Sequence, residues 1–455
     1  MKTKIFGDSG FRKELFSLAL PIALQNLMLA AVAACDAIML GRVSQNQMSA
    51  VSLAGQIQFV QNILLGASTG AAAILGAQYY GKGDRKTMDD IFSICLRLCL
   101  VVSTIFWVGC IFAPEMLMQI YTNEPELVAL GARYLRITGW SYLLTGISEP
   151  YLTLMKVTGH AGAGAGVSCM AVILNIFFNA VFIYGLLGFP ALNVRGAAVA
   201  TLVSRIIEVI VAFVLSLRSG FTRLHWEHLF HTTSGILPDF LKCGFPLLVC
   251  GALWGIGFSS YTAILGHMGA DAAAANSVSS VVRDLFCCAG NGLANGSSIL
   301  LGSLFGAGKT EEGKRDGGYI LRIGILTGIV TCLLVLAVTP FVLWFYVLSP
   351  EAKKLLSQIM VIMAFYMIGR VLNTIVINGI FYSGGDIMFD ARSLVVTMWG
   401  IAIPLALLGA FVFHWPVPAV FACTCADEVG KIPWVMVHYR KYRWVRNLTK
   451  ERPGV

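Results

Sequence analysis

Apolar stretches of roughly 20 residues, each long enough to cross a hydrocarbon core of ~30 Å as a helix, recur along the whole chain with only short polar breaks. Apolar residues make up 57% of the 455 and charged residues 13%, against ~45–50% and ~25% in soluble globular domains. The pattern is that of an all-α polytopic membrane protein. Helices are predicted at about 15–39, 51–78, 91–113, 131–155, 163–187, 193–217, 240–265, 276–304, 319–345, 357–382, 394–413 and 417–438. The first apolar run is a full-length span with no small-residue cleavage site behind it, so it is expected to stay in the mature protein.

A net charge of +9 raises the question of a nucleic-acid partner, and the placement of Lys and Arg answers it. Alternate loops, beginning with 1–14 and ending with 439–455, hold 20 of these residues, whereas the loops between them hold 4. By the positive-inside rule this bias puts both termini in the cytoplasm. It also supports an even helix count. The basic charge is thus a topology signal, and a lipid bilayer rather than nucleic acid is the expected partner. Twelve Cys are scattered with no paired CxxC spacing, which points to packing rather than to disulfides or metal.

The chain also matches itself. A gapless shift of 225 residues pairs Pro21 with Pro246, Gly41 with Gly266, Gly81 with Gly306, Gly83 with Gly308, Arg97 with Arg322, Pro125 with Pro350 and Gly159 with Gly384. Several of these are Gly and Pro, whose backbone roles make coincidence less credible. Each half then holds six helices and enters the membrane in the same direction, so the halves should be related by an axis along the membrane normal. This organisation divides the chain into an N-terminal lobe (1–217), a cytoplasmic linker (218–239) and a C-terminal lobe with a tail (240–455), with a central cavity expected between two pseudo-symmetric six-helix bundles.

Several segments in order resemble one family: FSLALPIALQNLMLAAVAACDAIMLGR in the first helix, GAQYYGKGD after the second, GSLFGAGK after the eighth, FYSGGD between the tenth and eleventh, and the tail DEVGKIPWVMVHYRKYRWVRNLT. Together they resemble the multidrug and toxic-compound extrusion (MATE) transporters over nearly the whole chain. The resemblance implies two six-helix lobes and antiport of H⁺ or Na⁺ against an organic, often cationic, substrate. It also implies that the first-helix acid carries the coupling.

That acid is Asp36. A carboxylate inside a span costs ~2.5–3.5 kcal/mol on insertion scales, so such residues usually face a cavity and serve an ion or a proton. Desolvation penalises the ionised form, which suits a group that must take up and release a proton. Gln25 lies three turns earlier on the same face. Asn175 and Asn179 share one face of the fifth helix as candidate partners of Asp36, although interhelical glue is the plainer role for such amides. The family frequently has Asn then Asp at this spacing; the amide at 179 weakens any two-carboxylate relay or strong Na⁺ site. Residues around Trp254 offer no carboxylate in the seventh helix, which tilts the reading further from Na⁺ toward H⁺.

In the second half, Asp284, Asn291 and Asn295 fall on one stripe of the eighth helix. Arg370 sits mid-span in the tenth with Tyr366 and Asn373 on its face. A buried Arg must find an anion, a carbonyl or water, and Asp284 is the partner expected for it. Met28, Gln58, Asn62, Trp254 and Tyr261 complete the candidate cavity lining, as adaptable apolar or polar contacts. Pro21 and Pro246 are candidate hinges, because an interior Pro removes a backbone hydrogen bond and kinks a helix.

Other signals are discounted. Gly302–Thr310 resembles a phosphate loop, but its first Gly is one residue too far from Gly308-Lys309 and it follows a membrane helix rather than a strand. His225, His228 and His231 read as part of an exposed basic linker rather than a metal site. A membrane-embedded enzyme would need a cluster of His or acids at catalytic spacing, and none is seen. The expectation is a monomeric antiporter of the cytoplasmic membrane that exports small organic compounds with no cofactor beyond the coupling ion. The alternative is a flippase for lipid-linked saccharides, which would want more cationic residues around the cavity.

Overall fold

The computed structural model describes residues 6–41, 43–217, 235–346 and 348–449, without the side chains of 31–34, 36–38, 41 and 45. Every regular element among the described residues is helical. This follows from the solvent: with no water in a bilayer core, each backbone group needs a partner within its own segment, and a helix supplies it. Large apolar side chains stand outward on these helices, among them Ile105, Leu333 and Trp344, as a lipid-facing surface requires.

Among the described residues, twelve long helical segments follow one another. They are α1 (Ser9–Gly41), α2 (Gln45–Lys82), α3 (Arg85–Phe112), α4 (Pro125–Val157), α5 (Ala161–Tyr184), α6 (Val194–Ser216), α7 (Leu237–His267), α8 (Ala270–Gly306), α9 (Thr310–Phe345), α10 (Pro350–Phe381), α11 (Met388–Val412) and the broken α12, made of Val417–Thr424, Ala426–Val429 and Ile432–Arg440. A short helix, Pro114–Gln119, precedes α4. Several helices overrun the apolar segments that mark them in the sequence. α2 has 38 residues, roughly 57 Å at ~1.5 Å per residue, because a helix once nucleated continues into polar sequence beyond the hydrocarbon.

The repeat seen in sequence is a repeat of structure. Helices α2, α3 and α4 begin at residues 45, 85 and 125, and α8, α9 and α10 at 270, 310 and 350, each pair 225 apart. The turns are matched as well: Gly83 and Gly308 close α2 and α8 with positive φ of 81° and 78°, a conformation that costs glycine nothing. Pro125 and Pro350 open α4 and α10 at the first helical turn, where a missing N–H is harmless.

The chain forms two compact units. The N-terminal unit comprises Leu24–Tyr80 and Asp84–Gly244, and the C-terminal unit comprises Phe245–Val455 with Met1–Ala23 and Gly81–Gly83. Helix α1 is therefore divided between them at Ala23. The start of α1 joins the C-terminal unit because α8 lacks side chains at two places: a Cβ at Gly292 would lie 2.5 Å from the Ala23 Cβ, and one at Gly296 would lie 2.9 Å from the Ala19 nitrogen. Small residues allow such backbone approach, a main source of helix association in membranes. In the N-terminal unit, buried Gln61 joins three helices, its Nε2 donating to Ser103 Oγ and to the Tyr142 carbonyl, both at 3.1 Å.

The substitution Gly292→Val should destabilise the protein by about 1–3 kcal/mol through overpacking, whereas Gly55→Val, at a position with open space around it, should cost little. Thermal unfolding of both variants in detergent checks this. Equal melting temperatures would refute the close-approach account.

Candidate functional site

Polar side chains gather inside each unit. In the N-terminal unit the network runs across α1, α5 and α6. Gln25 Nε2 donates to Ser168 Oγ at 2.8 Å, Asn179 Nδ2 to Asn175 Oδ1 at 3.0 Å, and Asn175 Nδ2 to Thr201 Oγ1 at 3.3 Å. The spacing of four in α5 does bring Asn175 and Asn179 together, both buried. Beyond them, Arg205 and Glu208 on α6 form an ion pair at 2.5 Å with the carboxylate nearly sealed from solvent. Gln58, Ser168, Asn175, Ser204 and Glu208 line a small cavity of about 100 Å³. Asp36 lies in helical backbone of α1, and its side chain is outside the described residues, as are His225, His228 and His231. Met28 is half-buried and Asn62 exposed.

The C-terminal unit is ionic. Its centre is Glu428, on the short middle piece of α12, where a charge is affordable only with partners. Arg370 Nη1 reaches Glu428 Oε1 at 2.7 Å and Lys431 Nζ reaches Oε2 at 3.1 Å. Asn373 Nδ2 donates to Oε2 at 2.8 Å and to the Glu428 carbonyl at 2.7 Å. That carbonyl sits where α12 is interrupted, so the amide supplies a bond that a continuous helix would have made for itself. The neighbouring Asp427 accepts from the Tyr261 hydroxyl at 3.3 Å, and Asp390 on α11 accepts from Tyr382 at 2.6 Å. The Arg370 guanidinium lies 5.8 Å from the ring centres of both Trp254 and Phe258.

These groups surround a cavity of about 330 Å³, lined by Trp254, Asn291, Arg370, Asn373, Asp390, Glu428 and Lys431 among others. A stretch with π-helical pitch borders it, Ile375–Phe381, and a second begins at Val395, directly after the lining residue Leu394. Such bulges break the regular ladder and are frequent at functional sites. Here Ile377 and Asn378 of the first stretch line the wall.

The expected partnership of Arg370 with Asp284 does not exist. Asp284 pairs with its neighbour Arg283 at 2.9 Å, and its side chain is 62% exposed, whereas the carboxylate that Arg370 holds belongs to Glu428, 2% exposed. A charged side chain takes the nearest desolvated counter-charge, and for Arg370 that lies on α12. Asn295 is likewise exposed, its Nδ2 donating to the Asn291 carbonyl at 2.8 Å. Tyr261 and Tyr366 line a separate space of about 30 Å³ with Phe258 and Arg283. Glu428, Lys431, Asp390, Arg205 and Glu208 were missed in the sequence. The available signal was charge inside an apolar span, as in Arg205-x-x-Glu208 and Glu428-x-x-Lys431.

Twelve membrane-crossing helices in a duplicated arrangement, with polar and charged side chains held inside each bundle, define a multi-pass membrane transporter. The MatE family model matches residues 21–181 and again 246–408, two copies whose starts are 225 residues apart, and the chain belongs to this family of multidrug-efflux transporters. The chain is 22% identical to the uncharacterized transporter YisQ of Bacillus subtilis over 98% of this chain and 99% of that one. It is 24% identical to a probable multidrug resistance protein NorM of Thermotoga maritima, over 97% and 95%. Among solved structures, the Vibrio cholerae MATE transporter VcmN in the bent form superposes with a TM-score of 0.85 at 14% identity, covering 95% of this chain and 97% of that one. A MOP superfamily transporter from Pyrococcus furiosus gives 0.85 at 17%, covering 96% and 97%.

The ion-pair assignment makes a direct prediction. Glu428→Gln strands two buried cations and should cost about 3–5 kcal/mol, lowering the yield of monodisperse protein. The charge swap Arg370→Glu with Glu428→Arg should recover more folded protein than Arg370→Glu alone, and Arg370→Glu with Asp284→Arg should recover none. Size-exclusion profiles of the four variants decide between the two partners.

Proposed function

We propose that the protein is a proton-coupled antiporter that exports small organic compounds, often lipophilic cations, across the cytoplasmic membrane. The observation that carries this reading is the neutrality of the N-terminal network. Its α5 positions are amides spent on each other and on the Thr201 hydroxyl, and its buried Glu208 is neutralised by Arg205. Neutral amide and hydroxyl oxygens can contribute to a Na⁺ site, but with Glu208 held by Arg205 this network adds no second free carboxylate to Asp36, and it suits a single acid that alternates between charged and neutral forms. Asp36 is that acid. It takes up a proton from outside, and the resulting change in hydrogen bonding and hydration favours release of the cargo, by alternating access.

The asymmetry of Lys and Arg between loops supports cytoplasmic termini. The protein acts as a single polypeptide with no cofactor other than the coupling ion. Pro21 and Pro246 lie inside α1 and α7, where each removes one ladder bond, and Pro21 serves as the bending point that couples Asp36 to the rest of α1.

The test is efflux of a fluorescent lipophilic cation from proteoliposomes under separately imposed H⁺ and Na⁺ gradients. Efflux should follow the pH gradient and disappear in Asp36→Asn; efflux driven by Na⁺ alone, or unchanged in the variant, would overturn the assignment. In the same assay Pro21→Ala should slow transport while expression holds. Transport at the wild-type rate would remove Pro21 from the mechanism.

A further inference from the structure

The cavity around Arg370 and Glu428 is poorly suited to a simple cation. The indole face of Trp254 in its lining already has a cation beside it, the Arg370 guanidinium 5.8 Å from the ring centre. A lipophilic cation would seek that same face. Two cations, Arg370 and Lys431, line the space and share one carboxylate. A guanidinium carries five N–H donors and an ammonium three, so the contacts to Glu428 use only part of what these two groups offer.

Polar atoms around the cavity point the same way. The Trp254 indole N–H is buried with no hydrogen-bond partner among the described residues, and so is Asn373 Oδ1, on a side chain 1% exposed. Both residues line the cavity. Buried polar groups are nearly always paired, and the exceptions call for an explanation such as a ligand. One of these is a donor and the other an acceptor. The lining also carries Asp390 and Glu428, so groups that can bind an acid and groups that can bind a nitrogen share one volume of about 330 Å³, within the range of small-molecule sites.

We propose that this cavity recognises small organic zwitterions, molecules bearing a carboxylate beside a protonated nitrogen. Arg370, Lys431 and the Trp254 N–H take the carboxylate, which shares the counter-charge role of Glu428. Asn373 Oδ1 and Asp390 take the nitrogen. The proposal rests on the reading of the protein as an exporter of small organic compounds and narrows the cargo for this unit.

Three probes of one shape separate the chemistry: tryptophan with both groups, tryptamine without the carboxylate, and indole-3-propionate without the nitrogen. Isothermal titration calorimetry on the purified full-length protein in detergent should show saturable tryptophan binding, with the other two at least tenfold weaker, since one charge-assisted hydrogen bond is worth about a factor of ten or more. The triple variant Arg370→Gln, Lys431→Gln and Glu428→Gln removes both cations together with the carboxylate they share, so none of the three is left unpaired. It should lose tryptophan binding tenfold or more while tryptamine binding stays the same, with folding checked by size exclusion. Lys431→Met keeps the Arg370–Glu428 pair intact and should weaken tryptophan in the same direction. Tryptamine binding as tightly as tryptophan, tryptophan binding unaffected in these variants, or no saturable tryptophan binding would each overturn the proposal. Proton-driven efflux of a lipophilic cation by the wild-type protein, measured in parallel, would show that such a failure belongs to this site and not to the exporter reading.

Discussion

Backbone hydrogen bonding in hydrocarbon governs everything else in this molecule. Because no water is available to satisfy an exposed N–H or C=O, each crossing segment is helical, and departures from regular helix occur where other groups supply the missing bonds. The break in α12 shows the rule at work. The Glu428 carbonyl, displaced from a continuous ladder, accepts from the side chain of Asn373 on α10. The same amide holds the Glu428 carboxylate, so one residue both repairs the backbone and positions the charge. The ion cluster is thus tied to the irregularity of its helix.

The duplication gives two scaffolds with matching helix starts and matching glycine turns, yet the interiors have diverged in kind. One is an amide and hydroxyl network around Asn175 with a self-contained ion pair; the other is a set of carboxylates and cations around Glu428. Neutral dipoles reorient at little electrostatic cost and accommodate one titrating acid. Fixed ion pairs resist reorganisation, because separating them in a low-dielectric interior is costly, and they suit the recognition of a charged ligand. Different polar inventories on one scaffold are what a division of labour between proton handling and cargo recognition would require.

The sequence made the fold legible because its signals are long. Apolar runs of membrane thickness, a loop charge bias and a repeat of 225 residues each average over many positions. The site was legible in part. Four-residue spacing in a regular helix correctly joined Asn175 to Asn179, since the 3.6-residue period fixes which side chains are neighbours. The same logic failed for Arg370, because its partner lies where periodicity ends. Read as one rod over 417–438, α12 gives no reason to aim Glu428 at the tenth helix. Asp284, on a regular stripe with Asn291, was the more visible candidate, but seven residues put it roughly 10 Å further along α8, outside the residues that line the cavity. Asp284 ends exposed beside Arg283, while Asn291 reaches the cavity.

This difference bears on how charge inside a membrane helix should be interpreted. A lone charge within an apolar span announces a function by its cost, but it does not announce its partner, because the partner is chosen by desolvation and proximity across helices. Glu428-x-x-Lys431 carries both signs within one turn, and that makes it cheap enough to overlook as a local pair. Its consequence is larger: the carboxylate is shared with Arg370 from another helix, and two cations on one anion leave the surrounding cavity with donors to spare. With Asp390 on the same lining, these groups place both signs of charge around one cavity, and that is the feature the proposed recognition of zwitterions rests on.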